Sequence, residues 1–363
     1  MCVCVMGDVS RSQRQLGEAS AADPLLAFHR IKPFLWTVLV VPLLWRPRWL
    51  PRWAYFPLLM ILLAVACTGH VLSVVVFDKR AENKSYHVFK LLSFAFWVAC
   101  GLVHANTKQL ASLLDFSLNE SFADTRDALL SVTRMCLVLI GVGVAVDMVT
   151  SGLVLGLPVN EEPWLPAILV SSICFHIIRS ASISLFSCQC FLVRNQWQRL
   201  NRLLVQEGLT NMQTIFRTHS SLASWNTHIN GRNEVFLSLF ITSGMMLSVI
   251  DAFSGVQPGA VGLVWIIRFI FTFVVTILPL VVTAVATSAA NQASAITASL
   301  QAKVSTLEEE EKLISFSLYL QSHLFGFKVF GVPVTQNSVV ALSLACFTIC
   351  AFVIIIQPVN SPS

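Results

Sequence analysis

The chain has 363 residues, of which 55% are hydrophobic and only 12% are charged. About a quarter of the residues of a soluble domain are charged, so this composition excludes an ordinary soluble domain and indicates an integral membrane protein. The formal net charge is +5, but the basic residues border apolar segments and form no soluble basic patch, which argues against nucleic acid as a partner.

The first 53 residues precede any segment long enough to cross a bilayer. Residues 1–27 are polar and mixed in charge, and we expect them to form a disordered cytosolic tail without a secretion signal. Residues 28–53 are apolar with interspersed basic residues, and they end in the stretch WRPRWLPRW. Because Trp and Arg favour the membrane–water boundary, this segment is predicted to lie along the inner membrane surface.

Seven apolar segments follow, each close to the roughly 20 residues that a helix needs to cross the hydrocarbon core. They are residues 54–77, 86–105, 129–150, 164–193, 234–254, 264–288 and 337–357. The predicted fold class is therefore an all-α integral membrane protein with seven transmembrane helices. Trp197, Leu200 and Leu204 keep helical spacing beyond the fourth segment, so that helix is predicted to continue out of the membrane.

Two of the loops between these segments have helical patterns of their own, residues 194–233 and 289–330. In the second loop, apolar residues between Ile296 and Leu318 recur about every 3.5 residues, which is typical of a helix that packs on another helix. A helical hairpin within one chain and an assembly domain shared between chains both fit this pattern. We interpret the acidic run Glu308–Glu311 as a solvated helix face, with attraction of cations as the alternative.

Lys and Arg residues are distributed unequally between the two sides of the predicted membrane domain. Outside the seven segments, seventeen lie on the side of the N-terminus and three, Lys79, Arg80 and Lys84, lie on the other side. The positive-inside rule therefore predicts a cytoplasmic N-terminus and an extracellular C-terminal tail, residues 358–363. Asn83 begins a glycosylation sequon in a predicted outside loop, which agrees with this orientation. We expect a multi-pass protein of the plasma membrane.

Ionisable residues occur inside several predicted spans, where each needs a partner or a polar cavity. In the outer halves of the spans these are Asp147, His176, Arg179, Asp251 and Arg268, with the aromatic residues Trp97, Phe175, Trp265 and Phe269 at similar depth. This mixture suits an apolar ligand pocket with a few orienting polar groups. Structural ion pairing, for instance of Asp147 with Arg179 or of Asp251 with Arg268, is the alternative, and it is the simpler explanation for any one residue.

Two stretches of the sequence resemble the insect gustatory and odorant receptor superfamily. The first is FRTHSSLASWNTHINGRNEVFLSLFI, where a His and a Leu, then Ile-Asn, then an apolar run approach the fifth span. The second runs from Ser315 to Gln357 and has a Phe/Leu-rich helix, the break Gly331-Val332-Pro333 and a last helix that ends in Gln. Of the family's terminal signature only the apolar run and Gln357 are present, so the chain resembles a divergent member, closer to gustatory than to odorant receptors.

The resemblance implies a ligand-gated, non-selective cation channel for small-molecule tastants, embedded in the lipid bilayer. It implies a tetramer, either of identical chains or with related receptors, in which helices four, six and seven extend into the cytosol as an assembly domain. The last helix would line the pore, because Phe347, Cys350, Ile354 and Gln357 share one helical face. Ile354 would form a hydrophobic constriction and Gln357 a polar ring beside it. The alternative is that this face packs against neighbouring helices.

Two other classes of membrane protein compete with this interpretation. A G-protein-coupled receptor is disfavoured by the charge asymmetry, by the lack of Asn-Pro-x-x-Tyr in the seventh span and by the lack of Asp-Arg-Tyr at the inner end of the third. A small-molecule transporter is disfavoured because no repeated half and no paired broken helices are apparent. The sequence has no phosphate-binding Gly-rich loop, nucleophile elbow or zinc-binding motif, so we expect no enzymatic activity, no cofactor and no metal site.

Overall fold

The computed structural model describes Ile61, Val65 and residues 122–155, 165–207, 210–255, 262–323 and 325–356. Within these ranges the helices are α1 (Phe122–Leu155), α2 (Leu165–Glu207), α3 (Met212–Gly255), α4 (Gly262–Gln301), α5 (Leu307–Ser322) and α6 (Gln336–Ile356), and the strands are β1 (Lys328–Val329) and β2 (Val332–Pro333). Several predictions fall outside the described residues. They concern the segments 1–27 and 28–53, most of the spans 54–77 and 86–105, Asn83, Trp97, Gln357 and residues 358–363.

The five remaining predicted spans each lie within one helix, the third to sixth in α1 to α4 and the seventh, up to residue 356, in α6. Among the described residues, three helices are long and apolar enough to cross a membrane, through Leu130–Val149, Asn233–Ala252 and Ile266–Gln301, and Gln336–Phe352 is a shorter apolar helix. The described chain is thus mostly helical with several apolar helices, as predicted. The full set of seven helices and their orientation stay predictions.

The helices extend well beyond the predicted spans, as the pattern after the fourth span indicates. α2 continues to Glu207, and Trp197, Leu200 and Leu204 are all buried. The apolar repeat between residues 296 and 318 is divided between two helices, because α4 ends at Gln301 and α5 begins at Leu307. Buried side chains at this end show that the extensions form a packed core, not separate solvated helices.

A capping box starts α5 and accounts for part of the acidic run. The Thr306 hydroxyl accepts a hydrogen bond from the backbone N–H of Glu309 at 3.3 Å, and the Glu309 carboxylate accepts one from the backbone N–H of Ser305 at 3.2 Å. The second contact lowers the pKa of Glu309 below its usual value. Acidic side chains in a first helical turn also interact favourably with the helix dipole. The run 308–311 is mainly exposed, in agreement with a solvated helix face.

The core lies between α2, α3 and α4, and two of these helices approach each other closely through a glycine. A Cβ atom added to Gly244 of α3 would lie 2.1 Å from the hydroxyl oxygen of Thr276 on α4. Large buried aromatic side chains, among them Phe186, Phe236 and Phe240, fill the adjoining space. At this point the backbone of α3 therefore packs directly against a side chain of α4.

An aromatic cluster around His219 joins α2, α3 and α5 at the end of the bundle where α5 lies. The fully buried His219 ring has its centroid 4.9 Å from that of Trp197, 5.4 Å from that of Phe316 and 4.8 Å from that of Phe325. Burial lowers the pKa of His219 to about 4. The ring is therefore neutral in the folded chain near pH 7, and it packs as an aromatic side chain.

Candidate functional site

Five of the predicted pocket residues come together between α1, α2, α3 and α4. They are Asp147 on α1, His176 and Arg179 on α2, Asp251 on α3 and Arg268 on α4. With Thr272 of α4 they form what we call the polar cluster. His176, Arg179 and Asp251 are buried, so their contacts are formed in a medium of low dielectric constant.

The first half of the polar cluster joins α1 to α2. Nε2 of His176 lies 3.0 Å from Oδ2 of Asp147, so the two side chains are within hydrogen-bonding distance. The His176 ring is packed edge to face against Phe175 and Phe271, with centroids 5.3 and 6.0 Å away. A Cβ atom on Gly143 would lie 2.4 Å from Nδ1 of His176, so the approach of the two helices depends on this glycine.

The second half of the polar cluster joins α3 to α4. Nε of Arg268 lies 3.2 Å from Oδ1 of Asp251, and the hydroxyl of Thr272 donates a hydrogen bond to Oδ2 at 2.9 Å. Asp251 is fully buried, and both of its oxygens have a partner. The pairing of Asp251 with Arg268, put forward as the structural alternative to a ligand pocket, is therefore present.

Arg179 connects the two halves. Its guanidinium carbon lies 5.3 Å from the centroid of the Phe271 ring, and its charge interacts with the carboxylates of both Asp147 and Asp251. With two Asp and two Arg residues, the polar cluster carries no net charge when His176 is neutral. It offers hydrogen-bonding groups in an apolar setting, which suits recognition of an uncharged molecule more than of an ion. Within the described residues no group of three His, Cys, Asp or Glu side chains could hold a metal ion.

Two of the predicted aromatic residues, Phe175 and Phe269, lie in different parts of the helix bundle. Phe175 contacts His176 in the polar cluster, whereas Phe269 stacks on Phe273 and faces Phe347 of α6, with centroids 5.9 and 6.2 Å away. Trp265 lies in the first turn of α4.

Sequence reasoning missed three contributors to the polar cluster, namely Thr272, Phe271 and Gly143. Helical spacing contains a signal for each of them. Thr272 and Phe271 lie four and three residues after Arg268, and Gly143 lies four residues before Asp147, so each shares a helix face with a predicted site residue.

The last helix, α6, carries three of the four residues predicted to line a pore, Phe347, Cys350 and Ile354. Phe347 is 58% exposed in the single chain, whereas Cys350 is only 2% exposed because it packs with Cys346 against Ala252 of α3. Ile354 lies in the last turn of α6. The pore face stays a prediction, and the sulfur of Cys350 would reach a pore only if α6 turned away from α3.

No protein-family model and no curated protein matches this sequence. Among solved structures, the chain is similar to the insect olfactory receptor OR5 from Machilis hrabei in complex with eugenol, with a TM-score of 0.63 at 10% sequence identity over 91% of this chain and 100% of that chain. It is also similar to another structure of the same receptor, with a TM-score of 0.58 at 10% identity over 92% of this chain and 100% of that chain. At this identity the likeness establishes the fold, which is that of an insect olfactory receptor.

Proposed function

We propose that this chain is a subunit of a gustatory-type chemoreceptor, a ligand-gated non-selective cation channel of the plasma membrane. The observation that carries the proposal is the extent of the fold likeness, which includes the whole OR5 chain and 91% of this one. OR5 binds a small molecule, eugenol, in one of the two structures. The two sequence stretches that resemble the receptor superfamily support the same conclusion independently.

The polar cluster is the proposed ligand-recognition region. Buried charges at membrane depth are costly, and they are found mainly where function or pairing requires them. Here Asp147, His176 and Arg179 join α1 to α2, while Asp251 and Arg268 join α3 to α4. A neutral tastant with one or two hydrogen-bonding groups could exchange hydrogen bonds with these side chains without unbalancing their charges.

Exposed apolar side chains on α5 and α6 leave surface that further subunits would cover in the proposed tetramer. On α6, Leu344, Phe347 and Phe352 are 63%, 58% and 62% exposed in the single chain. On α5, which is predicted to be cytosolic, Leu307 and Leu318 are 84% and 60% exposed. Large apolar groups outside the bilayer call for a protein partner. Four copies would bury them by placing α6 around a central pore, with Ile354 and Gln357 near its outer end.

The first experiment distinguishes the proposal from a G-protein-coupled receptor. Cells expressing the chain with an epitope tag after Ser363 are stained before and after permeabilisation, beside cells expressing an N-terminally tagged copy. We expect staining of intact cells for the C-terminal tag only. Staining of intact cells for the N-terminal tag alone would contradict the channel proposal and favour the G-protein-coupled receptor.

The second experiment tests conduction. The full chain is reconstituted in planar bilayers, and currents are recorded with eugenol as the first probe and then with a panel of neutral tastants. We expect cation currents that disappear in Gln357→Lys, because four positive charges around one pore would repel cations. Lys303→Gln, a change at an exposed position between α4 and α5, serves as the control and should leave the currents intact. Equal currents in the two variants would contradict the placement of Gln357 in the pore.

A further inference from the structure

The segment that joins α5 to α6, residues 325–334, is held by side chains of α3 and α4. We call it the connecting segment. It contains the hairpin of β1 and β2, in which Val329 pairs with Val332. The hairpin turn places Phe330 and Gly331 at φ values of 51° and 77°, so the chain reverses within two residues.

Asn230 of α3 binds the backbone of the connecting segment through both atoms of its amide group. Its Nδ2 donates to the carbonyl oxygen of Gly326 at 2.8 Å, and its Oδ1 accepts from the backbone N–H of Lys328 at 3.1 Å. The buried side chain thus pairs with residues 326 and 328 as a neighbouring β-strand would. Asn230 belongs to the Ile-Asn pair that marks the approach to the fifth span.

Two residues of α4 bind the same stretch from the other side. Nδ2 of Asn291 donates to the carbonyl oxygen of Phe325 at 3.1 Å, and the hydroxyl oxygen of Thr287 accepts from the backbone N–H of Phe327 at 3.1 Å. Gly326, between them, has a φ of +118°, and a Cβ atom there would lie 2.5 Å from Cγ2 of Thr287. Only glycine fits both this backbone conformation and this distance. We call Asn230, Thr287 and Asn291 the clamp.

α3 also holds the tip of the hairpin. The backbone N–H of Phe330 donates to the Ser238 hydroxyl at 3.3 Å, and that of Gly331 donates to the Glu234 carboxylate. Asn230, Glu234 and Ser238 are spaced four residues apart, so they form one stripe along α3. The connecting segment therefore follows α3 along this stripe.

α6 begins immediately after the connecting segment. The hydroxyl of Thr335 accepts a hydrogen bond from the backbone N–H of Ser338 at 3.2 Å and thereby caps the first turn of α6. Thr335 directly follows the connecting segment and directly precedes Gln336, the first residue of α6, so a displacement of the segment has no flexible linker in which to be absorbed. At their other end, α3 and α4 carry Asp251 and Arg268 of the polar cluster.

We propose that the clamp residues are positioning residues through which α3 and α4 set the position of α6. The inference rests on the proposed channel function, in which α6 lines the pore. A ligand that alters the polar cluster would act on α3 and α4 together, because the ion pair of Asp251 with Arg268 and the close approach of Gly244 to Thr276 join these two helices. The clamp then moves the connecting segment, and the segment moves the start of α6.

Hydrogen–deuterium exchange of the full chain in lipid nanodiscs tests the clamp without any ligand. Replacing Asn230 by Ala leaves a backbone donor and a backbone acceptor unsatisfied, and the loss of one such bond is expected to speed local exchange about tenfold. We expect faster exchange at residues 326–328 and also in the first turn of α6. The matched control is Asn226→Ala, one turn earlier on α3. The side chain of Asn226 is buried, as that of Asn230 is, but the described residues show no hydrogen bond from Asn226 to the connecting segment. The inference is overturned when exchange rises only at residues 326–328, or when Asn226→Ala has the same effect on α6.

A second variant with a smaller change keeps the test possible if Asn230→Ala does not fold. Thr287→Val keeps the side-chain shape and removes only the acceptor for Phe327, so faster exchange in the first turn of α6 is expected here as well.

Spontaneous openings in planar bilayers provide the functional measurement, and Asn230→Ala is expected to change the open probability about threefold or more. A conducting wild type whose openings are unchanged by Asn230→Ala overturns the coupling role. A wild type that does not conduct overturns the channel proposal, and with it the role of the clamp in gating. The exchange measurement still reports, in that case, whether the clamp positions α6.

Discussion

The Asp251 carboxylate and the Arg268 guanidinium lie 3.2 Å apart and join α3 to α4 inside the bundle. Asp251 is fully buried and Arg268 is 12% exposed. If either residue were removed, water could not take its place beside the remaining charge. A buried ion pair contributes little net stability relative to apolar residues, but the removal of one partner leaves the other charge uncompensated.

We therefore predict that Arg268→Leu lowers the free energy of unfolding by about 3–5 kcal/mol. The measurement is thermal unfolding of the purified full chain in detergent. The double variant Asp251→Leu with Arg268→Leu should recover most of the loss, because neither charge remains. Thr272→Val, which removes only the hydrogen bond to Asp251, should cost about 1 kcal/mol. Equal losses in the single and the double variant would contradict this account of the pair.

The sequence predicts the helices of this protein better than it predicts their contacts. The spans were predictable because runs of some 20 apolar residues have few alternatives to a membrane helix. The Asp251–Arg268 pair was predictable because Asp251 lies near the end of one span and Arg268 near the start of the next. The contact of Asp147 with His176 was missed because the sequence offers more than one basic partner for Asp147. Which of them it contacts depends on the depth and the rotation of each helix. The contact of Asn230 with Gly326 joins residues 96 positions apart, and no pattern within one helix reports it.

Gly143 is predicted to be a site of strain for any larger residue. In Gly143→Ala the new Cβ atom would lie 2.4 Å from Nδ1 of His176, and overpacking of this kind typically costs about 1–3 kcal/mol. Gly141→Ala is the control two residues away, where a Cβ atom has no neighbour within 4 Å. There the higher helix propensity of Ala should leave stability unchanged or raise it by up to about 1 kcal/mol. Thermal unfolding of the two variants side by side checks the contrast, and equal midpoints would contradict the close approach of α1 and α2.

His219 is predicted to make the stability of the chain sensitive to acid. Its pKa is lowered from 6.5 to about 4 by burial, so the unfolded chain binds a proton between these pH values and the folded chain does not. The contribution of His219 to stability is therefore complete above pH 6.5 and decreases as the pH falls towards 4, by at most about 1.4 kcal/mol per pH unit. His219→Phe keeps an aromatic ring among Trp197 and Phe316 and removes the titrating group.

Unfolding midpoints measured at pH 7, 6 and 5 compare this variant with the wild type. We expect His219→Phe to lose less stability on acidification than the wild type. A His219→Phe variant with the same dependence on pH as the wild type would show that other groups determine it.

The last prediction concerns the side of α6 that a pore would expose. Cys346 and Cys350 are 5% and 2% exposed because they face α3 and α4, whereas Phe347, on the predicted pore face, is 58% exposed. A positively charged methanethiosulfonate reagent should therefore leave the wild-type current unchanged and block the current of Phe347→Cys, because a thiol must reach water to react. Cys350→Ser is the matched control and should behave as the wild type does. A wild-type current that is blocked, with protection in Cys350→Ser, would mean that α6 turns away from α3 when the channel opens. The pore would then be lined by Phe347, Cys350, Ile354 and Gln357, as the sequence alone predicts.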